Sequence, residues 1–162
     1  MRAELKAALV LFGAVFVLIQ VLPGIGRNNP SSHTLTTPPP PEVQQVLRRA
    51  CYDCHSHETE WPAASRVAPV AWAVESHVYG GRAKMNLSLW PDDPHGQAIA
   101  RKKIGEMVSS GRMPLLSYRL ANEKGRLTDG EVQLLKDWAT APVDASPLKD
   151  VAIRGGRAAV VK

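Results

Sequence analysis

The chain has only two cysteines, and they stand three residues apart with a histidine directly behind the second, as Cys51-Tyr52-Asp53-Cys54-His55. C-x-x-C-H is the spacing at which two thiols become thioethers on the vinyl groups of a porphyrin. Those two bonds hold the histidine beneath the iron as its proximal ligand. The motif constrains the fold strongly, because a cofactor that large needs apolar lining in a small domain. The other readings of the five residues are a disulfide, a thioredoxin-like redox pair, half of a zinc site, and chance. Zinc needs about four ligands, and no second C-x-x-C or H-x-x-x-H spacing exists here. A thioredoxin-like pair belongs to a strand-rich context, whereas the flanks have helical periodicity. The expectation is one covalently attached haem c, with Cys51 and Cys54 as thioethers and His55 on the iron.

At 162 residues and 44% apolar content, the chain has room for a single small domain with extensions. The net charge of +5 is spread thinly. Its longest basic run, Arg101-Lys102-Lys103, falls on a predicted helix and reads as a solvated face. Nucleic acid is not an expected partner, since that would need a larger basic patch with stacking aromatics.

Residues 1–26 read as a membrane-targeting segment. A short basic start, with Arg2 and Lys6, precedes the run Ala7–Leu22, apolar except for Gln20. Its sixteen residues rise about 24 Å as a helix, slightly under the roughly 30 Å hydrocarbon core, and Pro23-Gly24-Ile25 can lengthen it. Gly24-Ile25-Gly26 is a poor cleavage site, so an uncleaved single-pass anchor is expected, with cleavage to a soluble periplasmic protein as the alternative. The positive-inside rule places the remainder across a bacterial inner membrane, on its periplasmic side. Residues 27–41, ending in four prolines, read as an extended spacer.

The domain, residues 42–140, is expected to be all-α. Val43, Val46, Leu47 and Ala50 form one helical stripe. A second helix is predicted from near Pro69, with Val70, Val74, His77 and Val78 inward and Gly80-Gly81 at its end. A third, about 97–110, carries Ala100, Ile104, Met107 and Val108 and stops at Gly111. Thr128 and Glu131 fit a capping box for the last helix, with Leu127 and Val132 as a hydrophobic staple and Leu134, Leu135 and Trp138 on its buried side. Residues 141–162 lack the pattern of a packed element and are expected to be a disordered tail.

The second face of the iron decides between electron transfer and ligand chemistry. Met113 is the first choice for it, because Gly111-Arg112-Met113-Pro114 is a loop whose proline limits the backbone. Ordinary packing is the alternative use of a methionine. His77, on its helical stripe, is the rival, and Met85 follows. His57 lies too close to the proximal ligand to reach the other face, and His95 reads as loop surface. The four tryptophans read as core or haem wall.

These features together resemble class I cytochromes c, and still more the bacterial haem-binding domain family of membrane-anchored proteins. The residues that carry the resemblance are Cys51 to Ser56, Thr59, Trp61-Pro62, Ala68-Pro69, Trp72, His77, Gly81-Arg82, Met85-Asn86, Ser88, Trp90, Met113-Pro114, Tyr118 and Leu127 to Trp138. The resemblance implies a cytochrome-like helical fold around a c-type haem, and it names no reaction. Related chains commonly have a histidine-proline pair after the tyrosine; this chain has Asn122-Glu123, which removes a histidine ligand there. The expected function is a monohaem, non-enzymatic carrier of single electrons to redox partner proteins at the periplasmic membrane face. The alternative is a haem sensor, or a haem subunit of a larger oxidoreductase, with an open distal site.

Overall fold

The computed structural model describes residues 2–32, 35 and 37–143, so the expected tail lies outside the described residues from 144 onward. Among the described residues every regular element is helical: α1 (Arg2–Ile19), α2 (Pro41–Ala50), α3 (Tyr52–His55), α4 (Val70–Lys84), α5 (Pro94–Ser109), α6 (Leu116–Ala121) and α7 (Asp129–Thr140). Short 3₁₀ turns stand at Ala63–Arg66, Leu87–Leu89 and Glu123–Gly125. The all-α expectation holds. The chain gathers into two compact units.

One unit comprises residues 1–34 and 51–89. Its first element, α1, ends at Ile19 rather than continuing to Leu22, and it begins with Arg2, Glu4 and Lys6. Among the described residues no helix is long and apolar enough to cross a membrane, so the expected N-terminal membrane helix is not supported. The early stop has a local cause in Gln20. Its amide donates to the Ala68 carbonyl at 3.2 Å and accepts from the Ala68 N–H at 3.0 Å, giving the chain a polar anchor just past the helix. The start of the expected spacer is also tied down: Asn29 donates to the Thr59 carbonyl and accepts from the Trp61 indole.

Helix α4 corrects two expectations. It runs through Gly80-Gly81 to Lys84, and its buried residues are Glu75 and Val78, while Val70 and His77 are exposed. The inward side is rotated from the stripe that the valines propose. Glu75 is buried because its carboxylate accepts the Gly26 N–H at 3.2 Å.

The other unit, residues 35–50 and 90–162, is organised by α5 packed on α7. Asp93 caps α5, accepting from the Gly96 N–H at 2.7 Å with Pro94 at the first helical position. The helix therefore starts three residues earlier than its apolar stripe predicts, and His95 is an exposed helical residue rather than part of a loop. A Cβ at Gly105 would stand 2.6 Å from the Ala139 Cβ, so this glycine permits the close approach of α5 and α7. Val43, Leu47, Leu135 and Trp138 are almost wholly buried; each aliphatic side chain of that size contributes roughly 1.5–3 kcal/mol. The Thr128/Glu131 capping box forms as expected. Arg101 departs from expectation: its neighbours Lys102 and Lys103 are exposed, but Arg101 itself is buried.

Candidate functional site

The C-x-x-C-H run folds as a single helical turn. The N–H groups of Cys54 and His55 both donate to the Cys51 carbonyl, at 3.2 and 2.9 Å, and Ser56 N–H donates to the Tyr52 carbonyl at 3.1 Å. Spacings of three and four residues put Cys51, Cys54 and His55 on one side of that turn. Neither cysteine is in a disulfide. Burial pushes the Cys54 thiol up to about 11, with the Asp53 charge adding to the rise and Arg82 opposing it. A thioredoxin-like pair belongs to a strand-rich context, whereas every regular element among the described residues is helical.

His55 is oriented from behind. Its Nδ1 lies 3.0 Å from the Met85 carbonyl oxygen. A carbonyl only accepts, so Nδ1 carries the proton and donates, which leaves Nε2 as the imidazole's lone-pair nitrogen. A backbone carbonyl behind the ring is a common way to set the tautomer and direction of a metal-binding histidine. Met85, itself weighed as a ligand, thus contributes its main chain here.

A polar shell holds the turn. Arg82 donates through Nε to the Ser56 carbonyl at 2.7 Å and through Nη2 to Thr59 Oγ1 at 2.9 Å, while Nη1 reaches the Asn28 carbonyl at 2.7 Å. Thr59 Oγ1 in turn donates to the Asp53 carbonyl at 2.8 Å. One residue before Arg82, a Cβ at Gly81 would collide with the Cys54 carbonyl, so only glycine lets α4 lie this close to the motif. His57 is absorbed into the same shell: its N–H donates to Ser88 Oγ at 2.9 Å, and Asn86 Nδ2 lies 2.8 Å from Nε2. Its Nδ1 faces the Ser31 carbonyl at 3.1 Å.

The remaining sites lie elsewhere in the chain. Met113 is half-buried in the loop after α5, where Gly111 adopts φ +67° and the Met113 N–H donates to the Met107 carbonyl at 3.1 Å. His77 is exposed on α4, away from Glu75 and Val78. Asn122 caps the following 3₁₀ turn by accepting from the Lys124 N–H at 3.0 Å. Sequence reasoning missed the positioning roles of Gly81, Arg82 and the Met85 carbonyl. Gly81 and Arg82 stood only among the residues that carry the family resemblance, and a main-chain carbonyl leaves no trace in residue type.

A motif with two thiols outside any disulfide and a histidine whose lone pair is on Nε2 fits covalent attachment of a haem and ligation of its iron. Comparison with protein families gives a match to the haem-binding domain over residues 14–141, well over half of the chain. Comparison with curated proteins and with solved structures gave no match.

Proposed function

The chain belongs to the haem-binding domain family, and we propose that it carries one haem c and passes single electrons through it, as a cytochrome c-like protein rather than an enzyme. The thiols of Cys51 and Cys54 each add across a vinyl group: sulfur bonds to the inner vinyl carbon, the thiol hydrogen goes to the outer one, and no oxidant is consumed. A bound haem supplies a reversible one-electron Fe(III)/Fe(II) couple. His55 Nε2 is the proximal ligand, and Met113 fills the distal position. The observation that carries this reading is the 3.0 Å contact between His55 Nδ1 and the Met85 carbonyl, which fixes the tautomer and leaves Nε2 as the lone-pair nitrogen.

Membrane attachment belongs to the same proposal. In α1 the run from Ala7 to Leu18 is apolar and its side chains are exposed, Leu11 and Phe12 among them, although the helix alone falls short of a full span. With Arg2 and Lys6 retained on the cytoplasmic side, residues 27–162 face the periplasm. Reporter fusions at the C-terminus are expected to be active only for a periplasmic enzyme. Quantitative recovery of the protein from the soluble periplasmic fraction would replace the anchor with a cleaved signal.

Visible and near-infrared spectra of holoprotein, matured in a host with c-type assembly machinery, test the central claim. The haem stays with the denatured chain after acid-acetone extraction, the oxidised protein shows the weak sulfur-to-iron band, and Met113→Ala removes that band while leaving the haem attached. A high-spin His77→Ala variant beside an unchanged Met113→Ala spectrum would reassign the distal ligand to His77. Ready carbon monoxide binding by a high-spin wild type would replace electron transfer with a sensor or an oxidoreductase subunit.

A further inference from the structure

An open cleft of about 560 Å³ lies beside α4, lined by Leu22, Pro23, Gly24, Ile25, Trp72 and Glu75, all of them in the unit that carries the haem motif. That volume falls in the range of small-molecule sites. Apart from Glu75 the lining side chains are apolar or aromatic. Glu75 is 5% exposed, and its single hydrogen bond among the described residues is the one that Oε2 accepts from the Gly26 N–H at 3.2 Å. No cation among those residues pairs with it, so Oε1 remains an acceptor without a donor at the wall of the cleft.

A buried carboxylate oxygen without a donor is costly, and its complement is a group that brings one. An ammonium brings three donors, and an apolar wall satisfies none beyond the first. A phenolic hydroxyl brings one, on a flat ring that can lie against the Trp72 indole. The cleft begins at Leu22, just past the end of α1 at Ile19, and Leu22 and Ile25 are exposed like the apolar run before them. With that run in the bilayer, the ligand comes from the lipid. In the other direction α4 runs six residues, about 9 Å, from Glu75 to Gly81, which lies against the Cys54 carbonyl.

We propose that the cleft binds a membrane-soluble hydroquinone, with Trp72 against its ring and Glu75 accepting from a hydroxyl, and that this hydroquinone is the electron donor. Binding rests on the cleft alone, whereas the electron transfer rests on the haem reading above. One hydroquinone becomes one quinone: two O–H bonds break, two protons and two electrons leave, and both C–O bonds become carbonyls. Glu75 takes the first proton, and the second leaves through the open mouth to water. The electrons pass one at a time to ferric haem, which a redox partner protein reoxidises in between.

The test uses the full haem-loaded chain in detergent and a decyl-substituted benzohydroquinone. Calorimetry on protein kept ferrous with dithionite reads binding without turnover, and anaerobic stopped-flow on ferric protein reads haem reduction. The wild type binds saturably at one site. Trp72→Leu weakens that binding roughly three- to tenfold. Glu75→Gln keeps an acceptor for the Gly26 N–H and changes binding little, but it slows reduction by the hydroquinone roughly a hundredfold or more. Dithionite reduces every variant at the wild-type rate. Trp72→Leu serves if Glu75→Gln does not fold. Absence of saturable binding, or binding and reduction indifferent to both substitutions, would overturn the proposal. So would Glu75-dependent binding of dodecylammonium in place of the hydroquinone, which would make the cleft a cation site. Hydroquinone bound at Trp72 that leaves ferric haem oxidised would overturn the donor assignment. The electron-carrier reading fails separately, by ready carbon monoxide binding, and the calorimetry still decides what the cleft holds.

Discussion

In the unit of α2, α5 and α7 the buried positions are mostly apolar, Val43, Val46, Leu47, Ile104, Val108, Leu135 and Trp138 among them beside Gln97 and Arg101, whereas in the unit of α3 and α4 Ser56, Thr59, Ser65, Glu75 and Ser88 are buried beside Tyr52, Ala68, Val78 and Leu87. The first set packs by apolar contact, which is non-directional and scales with area removed from water. The second depends on directed hydrogen bonds, among which Arg82 alone reaches Ser56, Thr59, Asn28 and Asn29. The unit that carries the haem motif therefore depends more on polar geometry than the other does. Small displacements there cost orientation of His55 before they cost cohesion.

If the contrast is right, truncation in the apolar unit gives the largest loss of stability. Leu135 is fully buried, and Leu135→Ala is expected to cost about 3 kcal/mol in chemical denaturation, with the haem still attached to whatever protein folds. A cost near zero would mean that this core is loosely packed.

Gly81→Ala comes next, and its effect falls on the motif. The added Cβ meets the Cys54 carbonyl, so a cost of about 2 kcal/mol and a reduced yield of covalent haem are expected. Gly80→Ala is its control, since nothing lies within 4 Å of a Cβ there. That change is expected to be neutral or stabilising by up to about 1 kcal/mol. Equal damage from both would remove the close approach of α4 as the explanation.

Arg82→Lys keeps the charge but loses the fork that serves several acceptors at once. An expected cost of about 1–2 kcal/mol should come with a changed haem spectrum, as the Ser56 end of the turn loosens. A wild-type spectrum with wild-type stability would show that this polar shell is decorative.

The smallest effect concerns the ion pair of Arg49 with Glu131 in the apolar unit, at 2.5 Å. Burial pushes the Glu131 carboxyl up, but hydrogen bonds from the Thr128 backbone, Arg49 and the Thr128 side chain together hold it below its ordinary value. A carboxyl lowered in the folded state stabilises above its unfolded pKa, and that contribution fades as pH falls through the folded value. Glu131→Gln should therefore lower neutral-pH stability by no more than about 1 kcal/mol. The gap to wild type should close in acid; a gap that persists there would assign the loss to packing.

The amino-acid sequence by itself determined the covalent haem expectation, the all-helical class, the α2 stripe, the stop at Gly111 and the Thr128/Glu131 cap, because each is a short-range pattern of spacing or local hydrogen bonding. Periodicity failed where polar residues are buried. Of the stripe proposed for α4, Val78 is buried but Val70 and His77 are exposed, because Glu75 turns inward to a backbone donor at Gly26, 49 residues away. The basic run misleads in the same manner: Arg101 is covered where Lys102 and Lys103 are not, since it lies over the ring of Trp138 from α7. Only the tertiary structure supplies partners remote in sequence, and the choice between burying and exposing a polar side chain is made by those partners. The same holds for the tautomer of His55, set by a Met85 carbonyl that any residue type would have provided.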